Sequence, residues 1–174
     1  MNNRWGKQVL NTTSSVEFKR KVETLNLPEP WQMPEGTLAP NVRLVRVCAR
    51  RIVVAGHNPI DAHGNVTGPF GVVGETISLE QAQRSSAATM RGILASLRQE
   101  LGDLSRIGAW IRMEGWVNAA RGFKDLPAIM NPASEIVYDL FGAEIGAHAR
   151  YVVGVTGLPF GAPVELAAEL ELAG

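Results

Sequence analysis

The stretch from Leu79 to Leu101 limits the fold more than any other part of the chain. Ser78 is placed as an N-cap, with Gln81 at the matching capping-box position. Ala82, Met90, Ile93, Leu94, Leu97 and Leu101 recur at helical spacing, and Gly102 supplies the stop. A long helix with one apolar stripe needs a partner layer, and the flanking segments supply it as strands. Val42 to Cys48 and Arg51 to Ala55 are β-branched and apolar, and read as a hairpin. Arg106 to Val117 reads as a strand in which Ile107, Ala109, Ile111 and Met113 alternate with Gly108, Trp110 and Arg112. Pro127 to Phe141 predicts a second helix stopped at Gly142. Two last strands, Arg150 to Thr156 and Val164 to Leu172, are joined by the turn GLPFGAP.

The order ββαβαββ predicts an α+β domain, a mainly antiparallel sheet with both helices on one face. Val153, Val155, Leu166 and Leu170 exceed what two helices can cover. The second face is therefore expected to be buried between identical subunits. Ahead of the domain, expected over residues 36–174, residues 1–35 read as a partly flexible N-terminal extension. It holds a short helical segment, Val16 to Leu27, and then LPEPWQMPEG, whose prolines enforce an extended connection. The Gly-rich segment His57 to Glu75 is a long loop, of the kind that is more often functional than idle.

Charge and cysteine content narrow the function classes. The 17 basic and 17 acidic side chains cancel, so no global field draws the chain to nucleic acid or an acidic membrane. Arg43, Arg46, Arg50 and Arg51 form a local cluster, read as flanking two surface-facing strands. The single cysteine, Cys48, lies in an apolar stretch and reads as a buried, inert thiol. No apolar run reaches the roughly 18 residues of a membrane span, and the N-terminus has no apolar signal core. A cytoplasmic address is expected. His57, His63 and His148 lack metal-ligand spacing and an accompanying carboxylate cluster, so no metal is expected. Gly68, Gly71 and Gly74 lack the lysine and strand–turn–helix context of a phosphate loop. Trp110 and Trp116 read as core or interface packing.

The C-terminal run AHARYVVGVTGLPFGAPVELAAELEL, with its Ala-Arg pair, its Leu-Pro and then its Val-Glu strand, resembles the signature of the RidA/YjgF family. VVAGHNPIDAHGNVTG and EQAQRSSAATMRGILASLRQELGDLSRI resemble that family's cleft loop and long helix, in the family's order. The likeness runs from about Gly36 to Leu172, and GWVNAARGFKDLPAIMNPASEIVYDLFG is most similar to a longer, less characterised branch. It implies a chorismate-mutase-like fold (bacillus type), a homotrimer, and ligand clefts between subunits. It also implies hydrolysis of imines and enamines such as 2-aminoacrylate to a 2-keto acid and ammonia, with no cofactor.

The resemblance carries roles onto particular residues. Arg150 matches the cleft arginine, whose planar guanidinium can take a carboxylate bidentately. Glu165 matches a glutamate that guides water near the imine carbon. Period two also places it with Glu169 and Glu171 on one strand face, so it reads equally as part of an acidic stripe. Asn131 falls near the cleft, with helix capping as the competing account. Gly56 matches the glycine at the end of the cleft strand, where backbone groups can meet ligand, as they can near Val152. Three positions depart from the well-studied deaminases. Asn41 or Val42 stands where they have an aromatic hydroxyl, Ala55 where they have serine, and Val152 where cysteine is frequent. These departures leave a second reading, a trimeric binder of small carboxylate metabolites without chemistry. Ribonuclease activity, a label the family has also carried, finds no basic–aromatic interleaving suited to RNA.

Overall fold

The computed structural model describes residues 12–36 and 41–174. Residues 1–11 of the expected arm, and residues 37–40 just beyond Gly36, lie outside the described residues. The elements are α1 (Thr12–Thr24), β1 (Val45–Cys48), β2 (Arg51–His57), α2 (Leu79–Leu101), β3 (Ile107–Asn118), α3 (Leu126–Ile145), β4 (Ala149–Val155) and β5 (Val164–Leu172). They form one five-stranded sheet in the order β1-β2-β5-β3-β4. Every pairing is antiparallel except β3 with β4, which is parallel because α3 carries the chain back between them. The α+β class and the expected element order hold.

The long helix forms as its sequence dictates. Ser78 and Gln81 complete a capping box, and Gly102 ends the helix at φ +79°, where glycine carries no Cβ penalty. In α3 the proline at 132 removes the N–H that would bond the carbonyl of Ala128. Gln83 of α2 supplies the missing donor, its Nε2 standing 3.0 Å from that oxygen. The repair ties the two helices together. Gly142, with φ +74°, breaks α3 where a stop was expected, and one more turn reaches Ile145.

The helix-facing side of the sheet holds Ile52, Val54, Ile107, Trp110, Met113, Val117, Val164, Leu166 and Leu170, all buried. Leu166 and Leu170 are thus hidden beneath the helices, contrary to the expectation that they add to an uncovered face. The open face instead carries Val53, Ile111, Tyr151 and Val153, each more than 40% exposed.

Ile111 departs from the alternation read in the sequence. β3 has an extra residue against β5 at two places, between Ile107 and Ala109 and between Trp110 and Arg112. Each bulge resets the phase, so Trp110 points inward and Ile111 outward. Cys48 is likewise exposed rather than buried: β1 alternates Val45 and Val47 inward, which puts Cys48 on the outer side with Arg46. α1 begins at Thr12, inside the stretch read as an arm. Phe18, Val22, Leu25 and Leu27 pack on the core, with the Phe18 and Phe141 rings 5.5 Å apart.

Candidate functional site

β4 is an edge strand, and Arg150 near its start turns toward α3. Nη1 donates to Ser134 Oγ at 3.1 Å, and Nη2 donates to Asn131 Oδ1 at 3.1 Å and to the Pro127 carbonyl at 3.4 Å. No carboxylate among the described residues comes within salt-bridge distance of this guanidinium. Its charge is oriented by neutral oxygens and not cancelled. Beside it opens a cleft of about 430 Å³ lined by Ser134, Glu135, Tyr138, Asp139, His148 and Arg150. Val152, two residues on, packs its side chain against the core from the same face. Asn131 is therefore not a helix cap; its amide oxygen holds the arginine.

Glu165 opens β5 on the opposite face. A β-carbon built on Gly56 would stand 2.8 Å from its carboxyl carbon and would overlap Oε1, so the glutamate lies in the space that this glycine leaves. Glu169 and Glu171 share that face, but each pairs with arginine: Glu169 with Arg51 at 2.6 Å and with Arg112, Glu171 with Arg50 at 2.9 Å. No such partner among the described residues reaches Glu165. Half-burial pushes its carboxyl above the usual carboxylate range, and the nearby Asn58 side chain opposes part of that rise. Trp116 is directly across from it on β3.

The strand end that carries Gly56 is braced from inside. His57 is fully buried. Its Nδ1 donates to the Ala55 carbonyl at 2.8 Å and its Nε2 accepts from Ser96 Oγ at 3.0 Å, the tautomer that a carbonyl acceptor requires. Burial lowers its pKa to about 4, so the ring is neutral.

The five residues picked from sequence thus fall into two groups. Arg150, Asn131 and Val152 lie on the helix side at the β4 edge, and Gly56 and Glu165 on the open face at β2 and β5. Arg150 is level with Met113 of β3 and through it with Ala168 of β5, three residues along from Glu165. Strand spacing and rise put the two about 10 Å apart across the sheet and about 10 Å along it. Sequence reasoning missed Ser134 and Asn58, and considered His148 only as a metal ligand. The i, i+3 spacing of Asn131 and Ser134 on a helix was the available signal. Among the described residues no group of three or more His, Cys, Asp or Glu side chains could hold a metal ion, and no helix is long and apolar enough to cross a membrane.

Protein TCP17 of Trypanosoma cruzi is 34% identical over 128 residues, covering 72% of this chain and 78% of that protein. Among solved structures, Atu1372 of Agrobacterium tumefaciens, a protein of unknown function, superposes with a TM-score of 0.75 at 28% identity, covering 90% of this chain and 92% of its own. YyfA of Yersinia pestis, described as a member of the conserved Rid protein family, superposes with a TM-score of 0.53 at 17% identity, covering 86% and 96%. The chain belongs to one family with TCP17 and has the fold of the Rid (YjgF-like) proteins. No family model matches it. The Rid fold accounts for the sheet order and for both helices lying on one face. The Ala149–Arg150 pair and the Val164–Glu165 pair occupy the starts of β4 and β5, where the resemblance in sequence placed them.

Proposed function

We propose that this protein is an imine and enamine deaminase of the 2-iminobutanoate/2-iminopropanoate type, working in clefts between the subunits of a homotrimer. The observation that carries the reading is Arg150: a guanidinium fixed by three neutral oxygens, unpaired with any described carboxylate, and facing an open cleft. Such a group suits a substrate carboxylate. Glu165 is too far from it, and on the wrong face, to act on the same small molecule within one chain. A cleft built from Arg150 of one copy and Glu165 of a second copy removes that conflict, and the uncovered apolar side chains Val53, Ile111, Tyr151 and Val153 favour such an assembly.

The chemistry needs no cofactor, because a protonated imine is already electrophilic. 2-Aminoacrylate tautomerises to 2-iminopropanoate, whose carboxylate binds Arg150. Glu165 takes a proton from water as the oxygen attacks the imine carbon, then returns it to nitrogen. The carbinolamine collapses to pyruvate and ammonia. A carboxylate with a raised pKa is the better base for this step near neutral pH. Backbone groups at Gly56 and Val152 border the space where the imine would sit.

The test is to generate 2-aminoacrylate in situ with a dehydratase and to follow pyruvate release with and without the protein. Acceleration by wild type, lost in Arg150→Ala, supports the reading; no acceleration by wild type rejects it. Ala55, Val152 and Asn41 in place of polar groups favour a second reading, a carboxylate binder without turnover. Glu165→Gln separates the two. It abolishes turnover in an enzyme and leaves ligand affinity unchanged in a binder.

A further inference from the structure

His148 lies two residues before Arg150, half-buried between α3 and Trp110, with ring centroids 6.4 Å from the indole. Its Nδ1 is 2.7 Å from the Gly146 carbonyl oxygen and its Nε2 is 3.0 Å from Ser134 Oγ. A carbonyl oxygen can only accept, so Nδ1 carries a proton, and in the neutral ring Nε2 is then bare. The Ser134 hydroxyl then donates to Nε2 in preference to the weaker thioether acceptor Met113 Sδ at 4.0 Å, and an oxygen lone pair remains for Arg150 Nη1 at 3.1 Å. Donation thus runs one way: from Arg150 to Ser134, from Ser134 to His148, and from His148 to the backbone of Gly146. Each bond in such a chain polarises the next, so the serine oxygen becomes a stronger acceptor for the cation than an isolated hydroxyl.

The other acceptors complete the hold. Pro127, Asn131 and Ser134 follow i, i+4, i+7 spacing on α3, so a single helix face presents all three oxygens to the guanidinium. Arginine has five N–H groups. The three contacts occupy at most three of them, and Nε–H makes none among the described residues. The group is therefore both immobilised and left with free donors.

We propose that Ser134 and His148 are positioning residues of the carboxylate site, orienting the Arg150 guanidinium through a one-way hydrogen-bond chain anchored on the Gly146 carbonyl. This rests on the reading of Arg150 as the carboxylate anchor, and its test separates the two. In the full-length protein, ¹⁵N NMR at a pH where imidazole is neutral is expected to show His148 as the Nδ1–H tautomer. The Arg150 Nη signals are expected to be resolved by hindered rotation. Ser134→Ala should release Nη1 and give averaged Nη signals, while the Gly146 carbonyl keeps His148 in the Nδ1–H form. Observing the Nε2–H form in wild type, or equally free Nη rotation in wild type and Ser134→Ala, overturns the proposal whether or not a carboxylate binds.

The second measurement is affinity for 2-oxobutanoate. Ser134→Ala and His148→Phe should each weaken binding about tenfold, the scale of one hydrogen bond to a charged group. His148→Gln, which keeps an acceptor near the place of Nε2, should restore it to within about threefold of wild type. Arg150→Ala losing affinity while Ser134→Ala and His148→Phe bind as wild type does would leave the anchor standing and sink the positioning role. If wild type does not bind 2-oxobutanoate, the anchor reading fails and the tautomer and rotation measurements decide the hydrogen-bond chain alone.

Discussion

The carboxylate of Glu165 fills the space that Gly56 leaves by having no side chain. The two residues come from strands far apart in sequence, and any side chain at position 56 must displace the carboxylate. Gly56→Ala is therefore expected to push Glu165 out of its place and to lower kcat/KM about tenfold or more, since small displacements of a reacting group cost that much. Steady-state kinetics alongside a melting curve checks this. A variant that melts near wild type and keeps full turnover would show that the Glu165 position does not matter.

Arg150 and Glu165 occupy opposite faces of the sheet, which makes a subunit-mixing experiment informative. Arg150→Ala and Glu165→Gln should each be inactive alone. After denaturation together in equal amounts and refolding, about a quarter of wild-type activity should return, because half of the arginines and half of the glutamates are intact and pair at random in a cyclic oligomer. No recovery would place both residues in one chain's site, against the geometry of the sheet.

His57 gives a pH dependence with a definite sign. Unfolded histidine takes up a proton near 6.5, whereas in the folded protein His57 does so only at about 4. Its contribution to stability is full above the unfolded value and is lost as pH falls from 6.5 to 4. Over that window the loss reaches about 3 kcal/mol. Urea titrations of wild type and His57→Gln at several pH values isolate the effect, because Glu165, with its raised pKa, contributes with the opposite sign to both. Parallel curves would refute the assignment.

Gln83 offers a check on the helix layer. Gln83→Leu leaves the Ala128 carbonyl without its donor, and is expected to cost about 1–2 kcal/mol in chemical denaturation. Restoring the backbone donor by Pro132→Ala should recover much of that loss.

Much of this protein was legible in its residues. Ser78, Gln81 and Gly102 mark the ends of α2 because capping is a local property, and β5 starts and ends where its alternation does. The inward and outward assignments in β3 were not legible, since the bulges depend on the strand paired with it. Burial of Cys48 failed for a related reason: an apolar neighbourhood in sequence says nothing of which face a short edge strand turns inward. At the site, Arg150 and Asn131 could be picked from their motifs, but the contact between them could not. Ser134 and His148 escaped because their role is to hold another residue, and that role exists only once α3 is folded against β4.

The bulge at Ile111 bears on how the chain can change length. Trp110 pairs with Leu170 and Arg112 with Glu169, so the ladder of β5 passes over Ile111 without a partner for it. Deleting that residue would join the two halves of β3 into an unbroken run, with Met113, Gly115 and Val117 still turned to the helices. Removing any other single residue between Arg112 and Val117 would turn part of the strand inside out. A deletion at position 111, like one at Gly108 in the other bulge, is a one-residue shortening that this strand is built to absorb.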